Sequence, residues 1–181
     1  MNAVHIDIVP IRTEDTEAVT RVYYETWLAT YPNEAAGISR DDVEALYANA
    51  FSEESLQQRR ERIERQHDNE LSLVAKCDGK VVGVCRVARE DTVNRLCAIY
   101  VLPHYQGLGI GGRLWEKALN FLERSKDTVV EVVDYNAPAI RFYENRGFVD
   151  TGVKKKNERF QLKSGASFTE RVMRRAADQT E

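Results

Sequence analysis

Leu96-Cys97-Ala98-Ile99-Tyr100-Val101-Leu102-Pro103-His104-Tyr105-Gln106-Gly107-Leu108-Gly109-Ile110-Gly111-Gly112 is the stretch that decides how this 181-residue chain folds. An apolar strand runs through a proline into a glycine-rich turn, and an amphipathic helix follows at once. Leu114, Ala118, Phe121 and Leu122 form the helix's apolar stripe, with Trp115 and Leu119 beside it. A strand, a tight turn and a helix start in that order aim bare backbone N–H groups at one point. They do so at the positive end of a helix dipole, which suits a pyrophosphate. Side chains in the turn would hold phosphate oxygens away from the amides, so glycines are needed there.

Outward from this stretch the chain alternates strands and helices. Val4, Ile6 and Ile8 alternate with polar residues over positions 4–11, a first strand. A helix of about residues 14–30 follows, ended by Tyr31-Pro32, with an N-cap offered by Thr13 to Asp15. Ser39 caps a second helix and Ser52 a third. Asp78-Gly79 between two β-rich runs reads as an antiparallel hairpin with a two-residue turn. After the glycine turn come a valine-rich strand, Thr128 to Tyr135, and a short helix opened by Pro138 and stopped at Gly147. A last hairpin runs from Phe148 around Lys163-Ser164-Gly165 to Met173. Residues 1–181 read as one α/β domain, with a core of about 1–175 and a polar tail at 176–181.

Composition narrows the function. Hydrophobic residues make up 43% and charged residues 30%, the balance of an ordinary globular domain. A net charge of −3 argues against a nucleic-acid partner, and no apolar run approaches membrane-spanning length. Cys77, Cys85 and Cys97 are an odd set in strand-like segments without CxxC spacing. They read as reduced core thiols of a cytoplasmic protein, with no metal site expected.

Two nucleotide-bearing molecules compete for the glycines. Gly107-Leu-Gly109-Ile-Gly111-Gly112 matches the dinucleotide pattern G-x-G-x-x-G, and Glu131 and Asp134 stand about 20 residues on. An NAD(P)-binding oxidoreductase is therefore one alternative. Against it, Leu102 to Gln106 separate the first glycine from the strand end, and the motif follows an antiparallel hairpin. Gln106-Gly-Leu-Gly109-Ile-Gly111 resembles instead the Q/R-x-x-G-x-G/A signature of the GNAT N-acetyltransferase superfamily. Asn136-Ala-Pro-Ala-Ile-Arg-Phe-Tyr143-Glu-Asn-Arg-Gly147-Phe148 is similar to the segment after that family's next strand. More loosely, Tyr24-Glu-Thr-Trp27 and Thr30-Tyr-Pro32 resemble its amine-side helix.

That resemblance implies a mixed, mostly antiparallel sheet of six or seven strands. A V-shaped split would separate two central parallel strands, with helices on both faces. It implies acetyl-CoA as cosubstrate, its pyrophosphate on the amides of Gln106, Gly107, Leu108, Gly109, Ile110, Gly111, Gly112 and Arg113. The pantetheine would pair along Ile99 and Val101, with an N–H near Ile99 or Tyr100 polarising the thioester and Asn136 hydrogen-bonding the arm. Tyr143 stands where the family places the acid that protonates the leaving thiolate; packing is its bland reading. Many relatives carry a glutamate where this chain has Arg95, so the base is open among Glu25, Asp134 and a water relay to which Glu25 contributes. Presenting a neutral amine at pH 7 costs roughly 4–5 kcal/mol, so some group must take the proton.

The acceptor side is the least legible. Trp27, Tyr31 and Asp134 are candidate walls of the amine site, although aromatics four residues apart on a helix equally suit core packing. Acidic residues on the early helices (Glu25, Glu34, Asp41, Asp42, Glu44) would suit a small cationic amine such as a polyamine. A protein or peptide acceptor, and a non-catalytic acyl-CoA-binding module, remain as alternatives, and a homodimer is left open.

Overall fold

The computed structural model describes residues 5–65 and 67–178. The elements run β1 (Ile6–Pro10), α1 (Thr16–Thr30), α2 (Arg40–Leu46), α3 (Glu53–Glu64), β2 (Glu70–Cys77), β3 (Lys80–Arg89) and β4 (Asn94–Val101). They continue with α4 (Ile110–Leu119), β5 (Thr128–Val133), α5 (Ala137–Glu144), β6 (Val149–Lys156) and β7 (Thr169–Arg175). Val4 and residues 179–181, included in the first strand and the tail above, lie outside the described residues.

Local chemistry sets most boundaries. Asp78 and Gly79 both adopt left-handed φ (47° and 81°), the two-residue turn whose twist matches the flanking strands. The Ser39 hydroxyl accepts from Asp42 N at 3.1 Å while the Asp42 carboxylate accepts from Ser39 N at 2.9 Å, a reciprocal cap on α2. The Ser52 hydroxyl caps α3 by accepting from Ser55 N. The first helix starts later than the sequence suggests. Thr13–Asp15 form one 3-10 turn, and the Asp15 carboxylate, 5% exposed, accepts from Arg12 N and pairs with Lys76 Nζ at 2.7 Å. The pair ties the start of α1 to β2.

The seven strands form one sheet in the order β1-β2-β3-β4-β5-β7-β6. All pairings are antiparallel except β4 with β5. On one face α4 lays Ile110, Leu114 and Ala118 over Leu73, Cys85 and Leu96, joined by Tyr143 and Phe148. On the other, α1 buries Val19 and Val22 against Val74 and Val84, and Trp27 and Tyr31 against Ile38, Val43, Val133 and Phe168. Fully burying one such aliphatic side chain contributes roughly 1.5–3 kcal/mol. The final hairpin is shorter than its sequence span. Pairing ends near Asn157, whose N–H bonds Phe168 O at 2.8 Å, and residues 158–167 leave the sheet. They leave because Phe160, Leu162 and Ala166 pack onto the α1–α2 cluster instead.

The feature that matters for the site is a fork. β4 and β5 pair over three residues only, Asn94↔Thr128, Arg95↔Val129 and Leu96↔Val130. Past Leu96, β4 stays with β3 and β5 stays with β7, so the two strands diverge. A bulge at Cys97 falls at the parting point: Ala98 pairs with Arg86 and Leu96 with Val87, leaving Cys97 unmatched. The sheet, its V-shaped split and the helices on both faces are those the sequence led us to expect.

Asn94 secures the closed end of the fork. Its side chain, 1% exposed, donates to Glu123 O (2.8 Å) and Lys126 O (3.1 Å) and accepts from Glu123 N (3.1 Å). Asn94→Ala leaves those buried backbone groups unpaired and is expected to cost about 3 kcal/mol. Urea unfolding monitored by circular dichroism measures it; a loss under ~0.5 kcal/mol would show the α4–β5 turn is held by other means.

Candidate active site

The open fork is continuous with a cleft of about 710 Å³ that runs from the glycine turn, between the diverging strands, to the C-terminal part of α1. Leu96 to Val101 of β4, Val130 to Val132 of β5, the turn at Gln106–Gly112 and the inner face of α5 line it. From Cys97 to Val101, the β4 edge that faces β5 has no strand partner. It is therefore free to pair with an extended amide chain.

At one end sits the glycine turn. Gly107 and Gly109 have φ of 78° and 76°, and Gly109 is the N-cap of α4. Two left-handed residues bracketing Leu108 turn successive amides toward the cleft, a conformation other residues adopt only with strain. Gly111 and Gly112 serve packing instead. A Cβ on Gly111 would stand 3.0 Å from the Phe142 ring, and one on Gly112 would stand 2.9 Å from Arg146 Nη2. Gln106 braces the turn by donating its side-chain Nε2–H to Val101 O at 2.9 Å.

Arg146, missed in the sequence, belongs here. Its guanidinium lies 3.6 Å from the Phe142 ring centroid, donates to Phe142 O at 2.9 Å, and lines the cleft beside the turn. Burial lowers its pKa somewhat, yet it remains a cation at the end of the cleft where the amides converge. The signal available was its position four residues after Phe142, one helical turn on.

Tyr143 lines the middle of the cleft and is 6% exposed. Burial raises its phenol well above 10, so it stays protonated throughout the working range. Asn136 also lines the cleft, and its side chain accepts from Ala139 N at 3.2 Å as the N-cap of α5. Its carboxamide oxygen is therefore engaged as a helix cap.

On the α1 face, Tyr31 and Tyr100 line the cleft with their hydroxyls 3.3 Å apart. Burial raises the pKa of both. Trp27 is not among the lining residues. It packs edge-on against Tyr31, Phe160 and Phe168. Glu131, entering the sequence reading only as part of the dinucleotide pattern, is the carboxylate that lines the cleft. It bonds Arg95 Nη1 at 2.9 Å across the fork and Lys155 Nζ at 2.7 Å. Burial pushes its pKa up, but the Lys155 hydrogen bond and the Lys155, Arg95 and Arg159 charges outweigh that and lower it.

Several candidates lie elsewhere. Leu108 is 56% exposed at the outer tip of the turn, and Arg113 donates to Ile6 O at 2.6 Å, joining α4 to β1. Neither side chain lines the cleft. Glu25 is half-buried on α1, also outside the lining. Asp134 is engaged by Arg171 and by Lys154 (2.7 Å), which lower its pKa, and it faces a smaller pocket with Tyr135 and Thr169. Of the other acids once read as an acceptor surface, Asp42 is 1% exposed. Its carboxylate accepts from Ser39 and from Ser164 N, and its pKa is lowered to about 2, chiefly by the Ser39 hydroxyl and amide. Glu44 pairs with Arg40 at 2.8 Å.

Residues 40–148, more than half of the chain, match the acetyltransferase (GNAT) family. The chain belongs to the GNAT family. Mycothiol acetyltransferase from Brachybacterium faecium is 40% identical over 92 residues, 47% of this chain and 28% of that protein. An uncharacterized N-acetyltransferase from Archaeoglobus fulgidus is 33% identical over 88 residues, 44% of this chain and 60% of that protein. The chain thus spans less than two thirds of either relative's length.

Among solved structures, the PaiA N-acetyltransferase from Thermoplasma acidophilum, in complex with coenzyme A, superposes with a TM-score of 0.71. The match covers 95% of this chain and 99% of that one at 23% identity. The ribosomal-protein-S18-alanine N-acetyltransferase from Escherichia coli gives 0.65, covering 98% and 97%, at 19% identity. Both share the GNAT fold with this chain. The dinucleotide reading gives way accordingly: one parallel strand pair leaves no doubly wound sheet for it.

Gly109→Val forces a β-branched residue into a left-handed backbone, a strain of about 1–3 kcal/mol, and puts a side chain before the amides. Calorimetric titration should give acetyl-CoA binding weaker by about tenfold or more. Unchanged affinity would mean that the turn does not hold the nucleotide.

Proposed function

We propose that this GNAT domain transfers the acetyl group of acetyl-CoA to a primary amine by direct attack in a ternary complex. The observation that carries this reading is the through-going fork. The donor reaches it from the α4–α5 face and the acceptor from the α1 face, and they meet at the Cys97 bulge. The turn at Gln106–Gly112 with Arg146 holds the pyrophosphate, and the open edge of Ile99 to Val101 pairs with the pantetheine amides.

In the transfer step the neutral amine nitrogen attacks the thioester carbonyl, its oxygen accepting an N–H bond from the open β4 backbone. The C–S bond breaks, the Tyr143 hydroxyl gives its proton to the departing sulfur, and solvent restores it. The amine loses one proton to a water held at the α1 mouth by the Tyr31 and Tyr100 hydroxyls and Glu131. Glu131 stays ionised and serves by charge, stabilising the cation that forms as the proton leaves. Glu25, next to the cleft-lining Thr26 but not itself in the lining, would act through that water and not directly. Free Cys77, Cys85 and Cys97 suit a reducing compartment, so we place the reaction in the cytoplasm.

Thiol release from acetyl-CoA across a panel of amino acids, polyamines, aminoglycosides and short peptides tests the reading. Saturable turnover of one amine class supports it, and tight acetyl-CoA binding with silence across the panel favours a non-catalytic module. Tyr143→Phe should lower kcat about 100-fold with little change in acetyl-CoA affinity. Because burial raises the Tyr143 pKa, the acid stays loaded as pH rises. The kcat/KM profile should therefore climb with amine deprotonation and show no alkaline fall below pH 10. A fall centred at or below about pH 10 that disappears in Tyr143→Phe would mean that the phenol is not raised above its ordinary value, contradicting its burial.

A further inference from the structure

On the α1 face of the sheet, one step from the fork, Arg86 has no acidic partner among the described residues. Arg86 lies on β3 opposite Ala98, a cleft-lining residue next to the Cys97 bulge. Side chains alternate along a strand and cross-strand partners share a face. Val84, packed under α1, and its partner Tyr100 therefore fix the face on which Arg86 projects. Its Nε is buried without a hydrogen-bond partner, and no ion pair or hydrogen bond to a described residue engages its guanidinium.

Tyr23 of α1 sits on the same face, in the cluster with Val84 and Tyr100, and packs edge-on against Tyr100 at 5.2 Å. The Arg86 charge acts to lower its phenol pKa against the burial that raises it. A buried arginine nitrogen without a partner is costly to maintain, which is reason to look for the acceptor it serves. Arg95, its neighbour across the sheet, is by contrast satisfied by Glu90 and Glu131.

Resting on the acetyl-transfer reading above, we infer that the acceptor is a small amine that also carries a carboxylate, an amino-acid-like zwitterion. Arg86 binds the carboxylate while the amino group enters the fork beside Cys97 and Ala98. A planar guanidinium matches a carboxylate through two parallel N–H bonds, a geometry neither an ammonium nor a carboxamide reproduces. Glu131 lies on the opposite side of the fork, toward β6, so the two charges of the zwitterion would meet opposite signs. A polyamine offers nothing to Arg86, and the N-terminal residue of a peptide has its carboxyl group tied up as an amide.

The test compares the twenty free amino acids with their carboxamides, decarboxylated amines and glycine-extended dipeptides, by thiol release from acetyl-CoA. At least one free acid should exceed its carboxamide by tenfold or more in kcat/KM. Arg86→Gln should bring that ratio near one, chiefly through KM, with acetyl-CoA affinity retained. Arg86→Lys should recover part of it. Carboxamides, amines or dipeptides used as well as the acids would overturn the inference, as would a ratio unchanged in Arg86→Gln.

A second measurement separates this inference from the transfer reading. Calorimetry with N-acetyl amino acids and their carboxamides, added to the CoA-saturated protein, needs no turnover. Preferential binding of the acids, lost in Arg86→Gln, supports the subsite even if no amine is acetylated. Equal binding of acid and amide, or binding of neither, overturns it whatever the catalytic result.

Discussion

β4 has to satisfy two neighbours over unequal lengths, and the rest of the site depends on that mismatch. It pairs with β3 along almost its whole length, but with β5 for only three residues. A parallel strand pair left to itself would zip further, because each added residue gains ladder bonds for backbone already fixed. What stops it is the bulge at Cys97, which bends β4, together with the antiparallel commitment of β5 to β7 over all six of its residues. The unpaired edge that results is a liability on an exposed strand and an asset inside a cleft, where an amide chain can complete it. Asn94 and the Arg95–Glu131 bridge fasten the closed end of the fork, so divergence begins at a defined residue.

The two faces of the fork are built from different materials. On the α4 face the walls are glycine amides, one arginine on a phenylalanine ring, and a tyrosine sunk in the core. Those groups suit a phosphate-bearing chain by backbone geometry, and glycine is called for at three positions: left-handed φ at Gly107 and Gly109, and the Phe142 ring against Gly111. On the α1 face the walls are aromatic rings and hydroxyls on helices whose ends are held by side-chain bonds such as Asp15–Lys76 and Asp42 with Ser164 N. Burial raises the phenols of Tyr23, Tyr31, Tyr47 and Tyr100. Neutral and fixed, they can position water and an incoming amine without adding charge of their own.

This difference explains what could be read from the chain. The glycine turn, the proline ahead of it and the Asn136-to-Phe148 block are sequence-local, because each pattern is imposed by one backbone conformation. They led to the V-shaped split, the strand edge at Ile99 to Val101 and a cleft lined by Tyr143. The charged residues were less legible, because an acid's partner is set by tertiary packing. Asp134 looked available at the end of a strand, yet Arg171 reaches it from β7, 37 residues away. Asp42 looked like an acceptor surface and is a helix cap bonded to residue 164. Glu25 is next to Thr26, which lines the cleft, but is not itself among the lining residues. Arg146 and Glu131 gain their place only when α5 and the fork are assembled.

The arginines follow the same physics. Along the sequence Arg86 and Arg95 look equivalent, basic residues on adjacent strands of a hairpin. Packing separates them: two carboxylates converge on Arg95, which becomes a structural cross-link, and no carboxylate among the described residues pairs with Arg86. A guanidinium kept half-buried and unpaired lowers stability, and a fold selected for stability alone would replace it with an apolar residue that packs against Ala98. Retaining the charge beside the fork therefore makes sense if the missing carboxylate arrives with the substrate. On that view the donor half of the cleft is specified by backbone shape and the acceptor half by which side chains are left without partners.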